Sequence, residues 1–318
     1  MRSITFYLHR RVTPAKLFQR ILVAIDGSPN SYHGLQYAIE VAKKFDAEVT
    51  LIHVVEVPKY PYSPIYGTDV PTTAFTAIEE SARELFQKRS KELIEKGVRT
   101  KTLLKRGSPA VEILRASKGF DLIVIGAKGL SRFKRLLLGS VSNSVVQGSK
   151  VPVLLVRPKG SGTHGRSTSS VSSTNAIQKI LVPIDGSPNS YHGLQCAVEL
   201  AKKLDVEITL IHVVEQPSYA FAPSGGSVIP AEAFVELEGF AEKLLQKRRK
   251  ELTNEGVRTN TLLKRGSPAD EILRASKGFD LIVIGAKGLS RFKRLLLGSV
   301  SNSVVQNSKV SVLIVRPE

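Results

Sequence analysis

The sequence predicts two tandem α/β domains, each a doubly wound parallel sheet. Three observations lead there. Residues 19–158 and 178–317 align at a constant offset of 159 over nearly all their length. Within each copy, short and continuously apolar runs alternate with amphipathic stretches, the mark of strands buried on both faces between crossover helices. The order strand, helix, strand is the one that right-handed crossovers turn into a parallel sheet. Only two copies exist and each is domain-sized, so the repeat is a duplication and not a solenoid.

The elements of the first copy follow in order. Residues 21–25 form a short apolar strand ending at Asp26. Gly27-Ser28-Pro29 is a turn, with Ser28 as helix N-cap and Pro29 at the first helical position. A helix over about 30–45 carries Leu35, Ala38, Ile39 and Ala42 on one face. A second strand at 49–55 leads into a long loop, 57–73, rich in Pro, Gly and Tyr. Loops of that length often serve as lids or partner surfaces. A helix over about 74–96 is closed by Gly97, and a third strand runs over 98–104. Ser108-Pro109 starts another helix, which Gly119 stops. After a fourth strand and a further helix, a last strand at 151–156 contains Pro152, tolerated at a strand start or sheet edge.

The stretch 121–140 organises each copy. An apolar run, 122–125, ends in Gly126, and Gly129 follows three positions later. Basic residues come next, Lys128, Arg132, Lys134 and Arg135, and then Gly139-Ser140 ahead of a helix-compatible segment, 141–147. Glycines let backbone N–H groups approach a ligand closely. The first turn of a helix offers unpaired N–H groups and positive potential, so together they suit a phosphate. A tight turn and a helix cap account for the same glycines, so the spacing alone decides nothing. The whole stretch recurs unchanged over 280–299. Between 97–151 and 256–310 only three positions differ: Lys101/Asn260, Val111/Asp270 and Gly148/Asn307.

The spacing Gly, two residues, Gly, nine residues, Gly-Ser resembles the ATP-binding motif of the universal stress protein family. It stands at Gly126, Gly129 and Gly139-Ser140, and again at Gly285, Gly288 and Gly298-Ser299. It is neither a Walker A loop nor a dinucleotide fingerprint. The resemblance covers nearly the whole chain and implies a Rossmann-like strand order of 3-2-1-4-5. The strand order would reverse between strands 1 and 4, where ligands of open α/β sheets bind. In the first copy it implies that Gly126 and Gly129 wrap phosphates, and that Gly139, Ser140 and Ser142 present N–H and hydroxyl donors. Asp26 would stand beside the nucleotide and its Mg²⁺ or Mn²⁺, and the backbone of Val54 would meet the adenine edge. The second copy offers Asp185, Val213, Gly285, Gly288, Gly298, Ser299 and Ser301, with Asp185 as the metal residue. Lys128 and Lys287, with Arg132 and Arg291, are candidates to add charge near the phosphates; an exposed basic loop explains them equally.

The expected division is a basic N-terminal extension at 1–18, a universal stress protein domain at 19–158, a flexible Gly/Ser/Thr-rich linker at 159–177 and a second such domain at 178–318. The resemblance implies an ATP-binding stress-response switch or adaptor, with the loops 57–73 and 216–231 ordered by nucleotide. Slow ATP hydrolysis or self-phosphorylation is the alternative chemistry. The family commonly dimerises through its last strand, so the two copies are expected to pair within the chain, 151–156 against 310–315; a further homodimer stays open. A protein partner is expected but not identified.

Composition sets the remaining bounds. Cys196 is the only cysteine, which excludes an intrachain disulfide and suits a reducing compartment. Tyr37 holds its place in the first copy, so Cys196 reads as helix filler. No apolar run approaches the roughly 20 residues of a membrane span, and the N-terminus lacks the apolar core of a signal peptide. The expected location is the cytoplasm, with no membrane contact. The net charge of +18 is front-loaded: residues 1–159 hold 26 basic and 13 acidic residues, residues 160–318 hold 20 and 15. Such charge favours anionic partners, but 6% aromatic residues and no recognition motif make nucleic acid the weaker reading. His33/His192 and His53/His212 have no nucleophile beside them and read as structural. No clustered metal ligands are seen.

Overall fold

Strand β1 (Arg20–Ala24) and strand β4 (Leu122–Gly126) are almost purely apolar, and the fold puts them in the middle of the first sheet. The computed structural model describes residues 17–56, 72–129, 138–158, 177–215, 231–288 and 297–316. Around β1 and β4 the first copy adds α1 (Pro29–Phe45), β2 (Glu48–Val55), α2 (Thr72–Glu95), β3 (Thr100–Arg106), α3 (Pro109–Ala116), α4 (Ser140–Gly148) and β5 (Val153–Val156). All pairings are parallel, in the order β3-β2-β1-β4-β5. The order reverses at β1/β4, as the resemblance implied. Ile21, Leu22, Ile123 and Val124 at its centre are fully buried.

The second copy builds the same unit from β6 (Lys179–Pro183), α5 (Pro188–Leu204), β7 (Glu207–Val214), α6 (Ala231–Asn254), β8 (Thr259–Arg265), α7 (Pro268–Ala275), β9 (Leu281–Gly285), α8 (Ser299–Asn307) and β10 (Ser311–Val315), with one 3-10 turn at Ser276–Gly278. Its order is β8-β7-β6-β9-β10, again parallel. The chain divides into two units at Pro158 and Lys159.

Helix α1 forms for the reasons its sequence gives. Ser28 caps it, accepting the Ser31 N–H at 3.1 Å, and Pro29 opens the first turn. The predicted apolar face, Leu35, Ala38, Ile39 and Ala42, is buried. Asp46 ends it in the left-handed region, at φ 51°, where an aspartate is among the few tolerated side chains. Ser108 and Ser267 sit at the matching position of α3 and α7, yet neither side chain makes a cap bond.

Some boundaries move. The third strand begins at Thr100 and not at 98, because Val98 is tied back to the last turn of α2: its N–H donates to the Leu93 carbonyl at 2.9 Å. The last strand begins at Val153, after Ser149 has tied both backbone groups of Val151. In the second copy Ser311 replaces Pro152 and the strand starts there, since a serine can donate to the ladder and a proline cannot. Phe18, assigned to the extension, is 1% exposed and packs edge-on against Phe45 at 5.5 Å. Ile177, assigned to the linker, is its counterpart and equally buried. Each folded copy therefore begins with an apolar anchor just ahead of its first strand. The remaining extension and linker residues, and most of the loops 57–73 and 216–231, lie outside the described residues.

Candidate functional site

The site is built where β1, β2 and β4 end together and α4 begins. Asp26 follows β1. Its Oδ1 accepts the Ser28 N–H at 2.9 Å, an Asx turn that fixes the carboxylate at the strand end. Its own N–H lies 3.4 Å from Ser31 Oγ, and that hydroxyl donates to the Ser28 carbonyl at 2.9 Å. One carboxylate oxygen is thus used in the turn. The other, Oδ2, lies directly over Gly129, in the space that a side chain there would enter. Gly288 and Asp185 repeat this, with Oδ2 at 2.6 Å from where a Cβ would stand. Asp26 and Gly129, 103 positions apart in the chain, approach each other because β1 and β4 are neighbours.

Gly126 also stands against the start of α1. A Cβ on it would lie 2.7–2.9 Å from the backbone of Asn30 and Ser31, in the first turn of α1. In the second copy the Cβ of Gly285 would run into the Asn189 carbonyl. These glycines let the helix close onto the strand end. Gly34 and Gly193 help: a Cβ there would sit 3.7 and 3.1 Å from the Gly126 and Gly285 amides.

The start of α4 is tied to β4 twice. The Gly139 N–H donates to the Ala127 carbonyl at 2.7 Å, and the Ser142 hydroxyl donates to the Gly126 carbonyl at 2.7 Å. Ser142 is 3% exposed, so its hydroxyl is held inside and is not a donor offered to a ligand. Ser301 does the same with Gly285 at 2.7 Å. This corrects the expected hydroxyl role of both serines. What α4 does present is its first turn. Gly139 and Gly298 are N-caps without a side chain to cap with, and Ser140 and Ser299 beyond them are exposed. The first N–H groups of a helix lack intrahelical acceptors, so they face outward with the positive end of the helix dipole.

Val54 and Val213, near the ends of β2 and β7, are half-buried beside the same strand ends. Lys128 and Lys287 lie on the loop between β4 and α4, and between β9 and α8, also half-buried. Arg132 and Arg291 fall outside the described residues. The sequence reads His53 and His212 as structural. Both reach across to the end of the first strand, with Nδ1 at 2.8 Å from the Ile25 and Ile184 carbonyls. His33 bonds back to the Pro29 carbonyl at 2.7 Å, within its own helix. Cys196 is buried in α5, and burial, with Glu199 nearby, pushes its thiol up to about 12, far from nucleophilic.

Among the described residues no group of three His, Cys, Asp or Glu side chains gathers as a metal site. No helix among them is long and apolar enough to cross a membrane.

Comparison with known proteins agrees with this fold. The model of the universal stress protein family matches residues 17–157 and again 176–316. A universal stress protein of Mycolicibacterium smegmatis is 28% identical over 312 residues, covering 93% of this chain and 97% of its own length. One from Bacillus subtilis is 36% identical over 148 residues, 44% of this chain and 100% of its own. The crystal structure of a universal stress protein from Archaeoglobus fulgidus superposes with a TM-score of 0.66 at 25% identity, over 93% of this chain and 96% of its own.

Proposed function

The chain belongs to the universal stress protein family, and from that premise we propose that each of its two copies binds ATP, as a nucleotide-dependent switch or adaptor. The observation that supports this is a meeting of three features at the strand reversal, made twice. A carboxylate oxygen, a loop glycine and a helix start with no side-chain cap bond come together after β1 and β4, and again after β6 and β9. Phosphates would lie across the loop at Gly129 and Gly288 and against the N–H groups beyond Gly139-Ser140 and Gly298-Ser299. Bases would lie toward Val54 and Val213, and Lys128 and Lys287 would add positive charge.

The donor set also fits one divalent cation per copy. Asp26 and Asp185 each keep a single carboxylate oxygen out of the turn. A hard cation such as Mg²⁺ or Mn²⁺ is commonly held by one or two carboxylates together with substrate phosphates and water. Asp26 and Asp185 would hold it, and it would neutralise phosphate charge.

Small molecules released from the heat-denatured, purified chain and identified by mass spectrometry test the reading. About two equivalents of ATP per chain are expected. Asp26→Ala with Asp185→Ala should remove most of it. ADP in place of ATP would favour the slow-ATPase alternative, and titration showing no nucleotide affinity would remove the reading altogether. Limited proteolysis of the segments 57–73 and 216–231 with and without ATP tests the switch: an unchanged pattern would leave a binding protein without a switch.

A further inference from the structure

The end of β2 breaks its own ladder, and a histidine does it. In the first sheet the Glu48 N–H donates to the Gln19 carbonyl at 2.8 Å, and the Ile25 N–H to the Ile52 carbonyl at 2.9 Å. Val49 and Val55 face the other neighbour, through the Arg99 carbonyl and the Gly107 N–H. Even-numbered residues of β2 therefore face β1 and odd-numbered ones face β3. With that alternation the next rung joins the Val54 N–H to the Ile25 carbonyl. The rung is not made. His53 fills its place: its Nδ1 lies 2.8 Å from the Ile25 oxygen. A carbonyl only accepts, so Nδ1 carries the proton.

The second copy does the same independently. The Glu207 N–H reaches the Gln178 carbonyl at 3.2 Å and the Ile184 N–H the Ile211 carbonyl at 2.9 Å, and His212 Nδ1 then takes the Ile184 oxygen at 2.8 Å. The arrangement does not depend on the ring's other neighbour. Phe86 stands edge-on to His53 at 6.4 Å, while Leu245 holds that position in the second copy. The amides of Val54 and Val213 have no acceptor among the described residues, and both residues are half-buried. A partly buried N–H left without a partner costs stability unless something bonds it.

We propose that His53 and His212 are positioning residues: each satisfies a strand carbonyl with its side chain and so frees the neighbouring valine N–H for a ligand acceptor atom. This rests on the nucleotide reading of the crevice, in which that acceptor belongs to the base. The imidazole also pins the end of the first strand to the end of the second, so it sets the spacing between Asp26 or Asp185 and the valine amide.

The test uses the full chain, labelled at valine, and two readouts: amide exchange of Val54 and Val213 by NMR, and ATP affinity by calorimetry. In the ligand-free wild type both amides exchange fast, and ATP slows them. His53→Phe with His212→Phe keeps the ring shape but loses the donor. The ladder rung then closes, the valine amides become protected without ligand, and ATP binds about tenfold more weakly, the worth of one hydrogen bond. His53→Asn with His212→Asn restores a donor near the Nδ1 position and rescues both readouts. Protected valine amides in the ligand-free wild type overturn the proposal, whether or not the Phe variant folds. Unchanged ATP affinity in a folded Phe variant also overturns it. If the wild type shows free amides but no ATP binding, the nucleotide reading fails instead and the role of the histidines in the strand ends stands.

Discussion

The two copies agree at their strand ends and part where their first two helices pack. At the strand ends the same bonds recur at the same lengths: Ser28 and Ser187 N–H to the aspartate at 2.9 Å, histidine to carbonyl at 2.8 Å, serine hydroxyl to glycine carbonyl at 2.7 Å. Between α1 and α2, Glu92 gathers Tyr32, Gln36, Lys96 and Arg89 at 2.8–3.3 Å. In the second copy Glu255 stands where Lys96 does in the first, and the network is rewired: Glu251 takes Arg248 at 2.5 Å, and Lys202 turns to Glu255 at 2.7 Å. The arginine is kept in both copies: it pairs with the glutamate three residues on, Arg89 with Glu92 and Arg248 with Glu251, and stacks on a tyrosine, Arg89 on Tyr32 and Arg248 on Tyr191 at 4.2 and 4.4 Å. Half-exposed helix faces accept many hydrogen-bonded solutions, because water satisfies whatever is left over. A strand end facing a crevice accepts few, since one misplaced carbonyl moves the carboxylate and the amide together.

The largest expected effect breaks the strand-end side of this comparison. Gly126→Ala drives a methyl group into the α1 backbone and should cost about 1–3 kcal/mol. Hydrogen exchange should localise the loss to residues 17–158, and Gly285→Ala should place it in 177–316. A loss spread evenly over both copies would contradict the local packing role. Next, Gly129→Ala should displace the Asp26 carboxylate with little change in melting temperature. ATP stoichiometry by calorimetry should fall from two to one, with Gly288→Ala giving the complementary loss.

The helix side gives a smaller effect. Burial pushes the Glu92 carboxyl up, but hydrogen bonds from Gln36, Lys96 and Tyr32 outweigh it and hold it below its ordinary range. A depressed carboxylate stabilises the fold above its unfolded pKa, and the contribution fades as pH falls through the folded value. Acidification below about pH 4.5 should therefore weaken the first copy, and Glu92→Gln should flatten that limb in pH-dependent denaturation. A limb unchanged by the substitution would show that Glu92 is not its source. The smallest effect sharpens the comparison without disturbing either side. Cys196 should resist a thiol reagent at pH 8 in the native chain and react once the second copy opens, so its labelling reports on that copy alone.

Much of this fold is legible in the sequence because side-chain pattern records burial. The central strands and the capped α1 follow from apolar runs and a Ser-Pro pair, and the meeting of the β1 and β4 ends from the strand order the resemblance implied. What the sequence hides is where backbone groups go. Gly126 reads as a phosphate glycine until the first turn of α1 is seen against it. Ser142 reads as a donor for a ligand until its hydroxyl is found on the Gly126 carbonyl. The amide of Val54 has no signature of its own, yet His53 beside it is the residue that makes it available. Phe18 and Ile177 carry no sign of their place in the domains, since one aromatic in a basic tail and one aliphatic in a polar linker show no periodicity; burial reveals them as anchors.

Strands β3 and β8 lie at one edge of their sheets, each with a row of backbone groups that no described strand of its own copy covers. Such edges recruit other chains into intermolecular sheet, and natural proteins blunt them with charge. These two carry it: Lys101, Lys105 and Arg106 are exposed along the first edge, Lys264 and Arg265 along the second. Part of the charge that invites a search for an acidic partner is therefore protective. It keeps one molecule's open edge from annealing to another's, and a chain stripped of those side chains should aggregate before it loses any ligand.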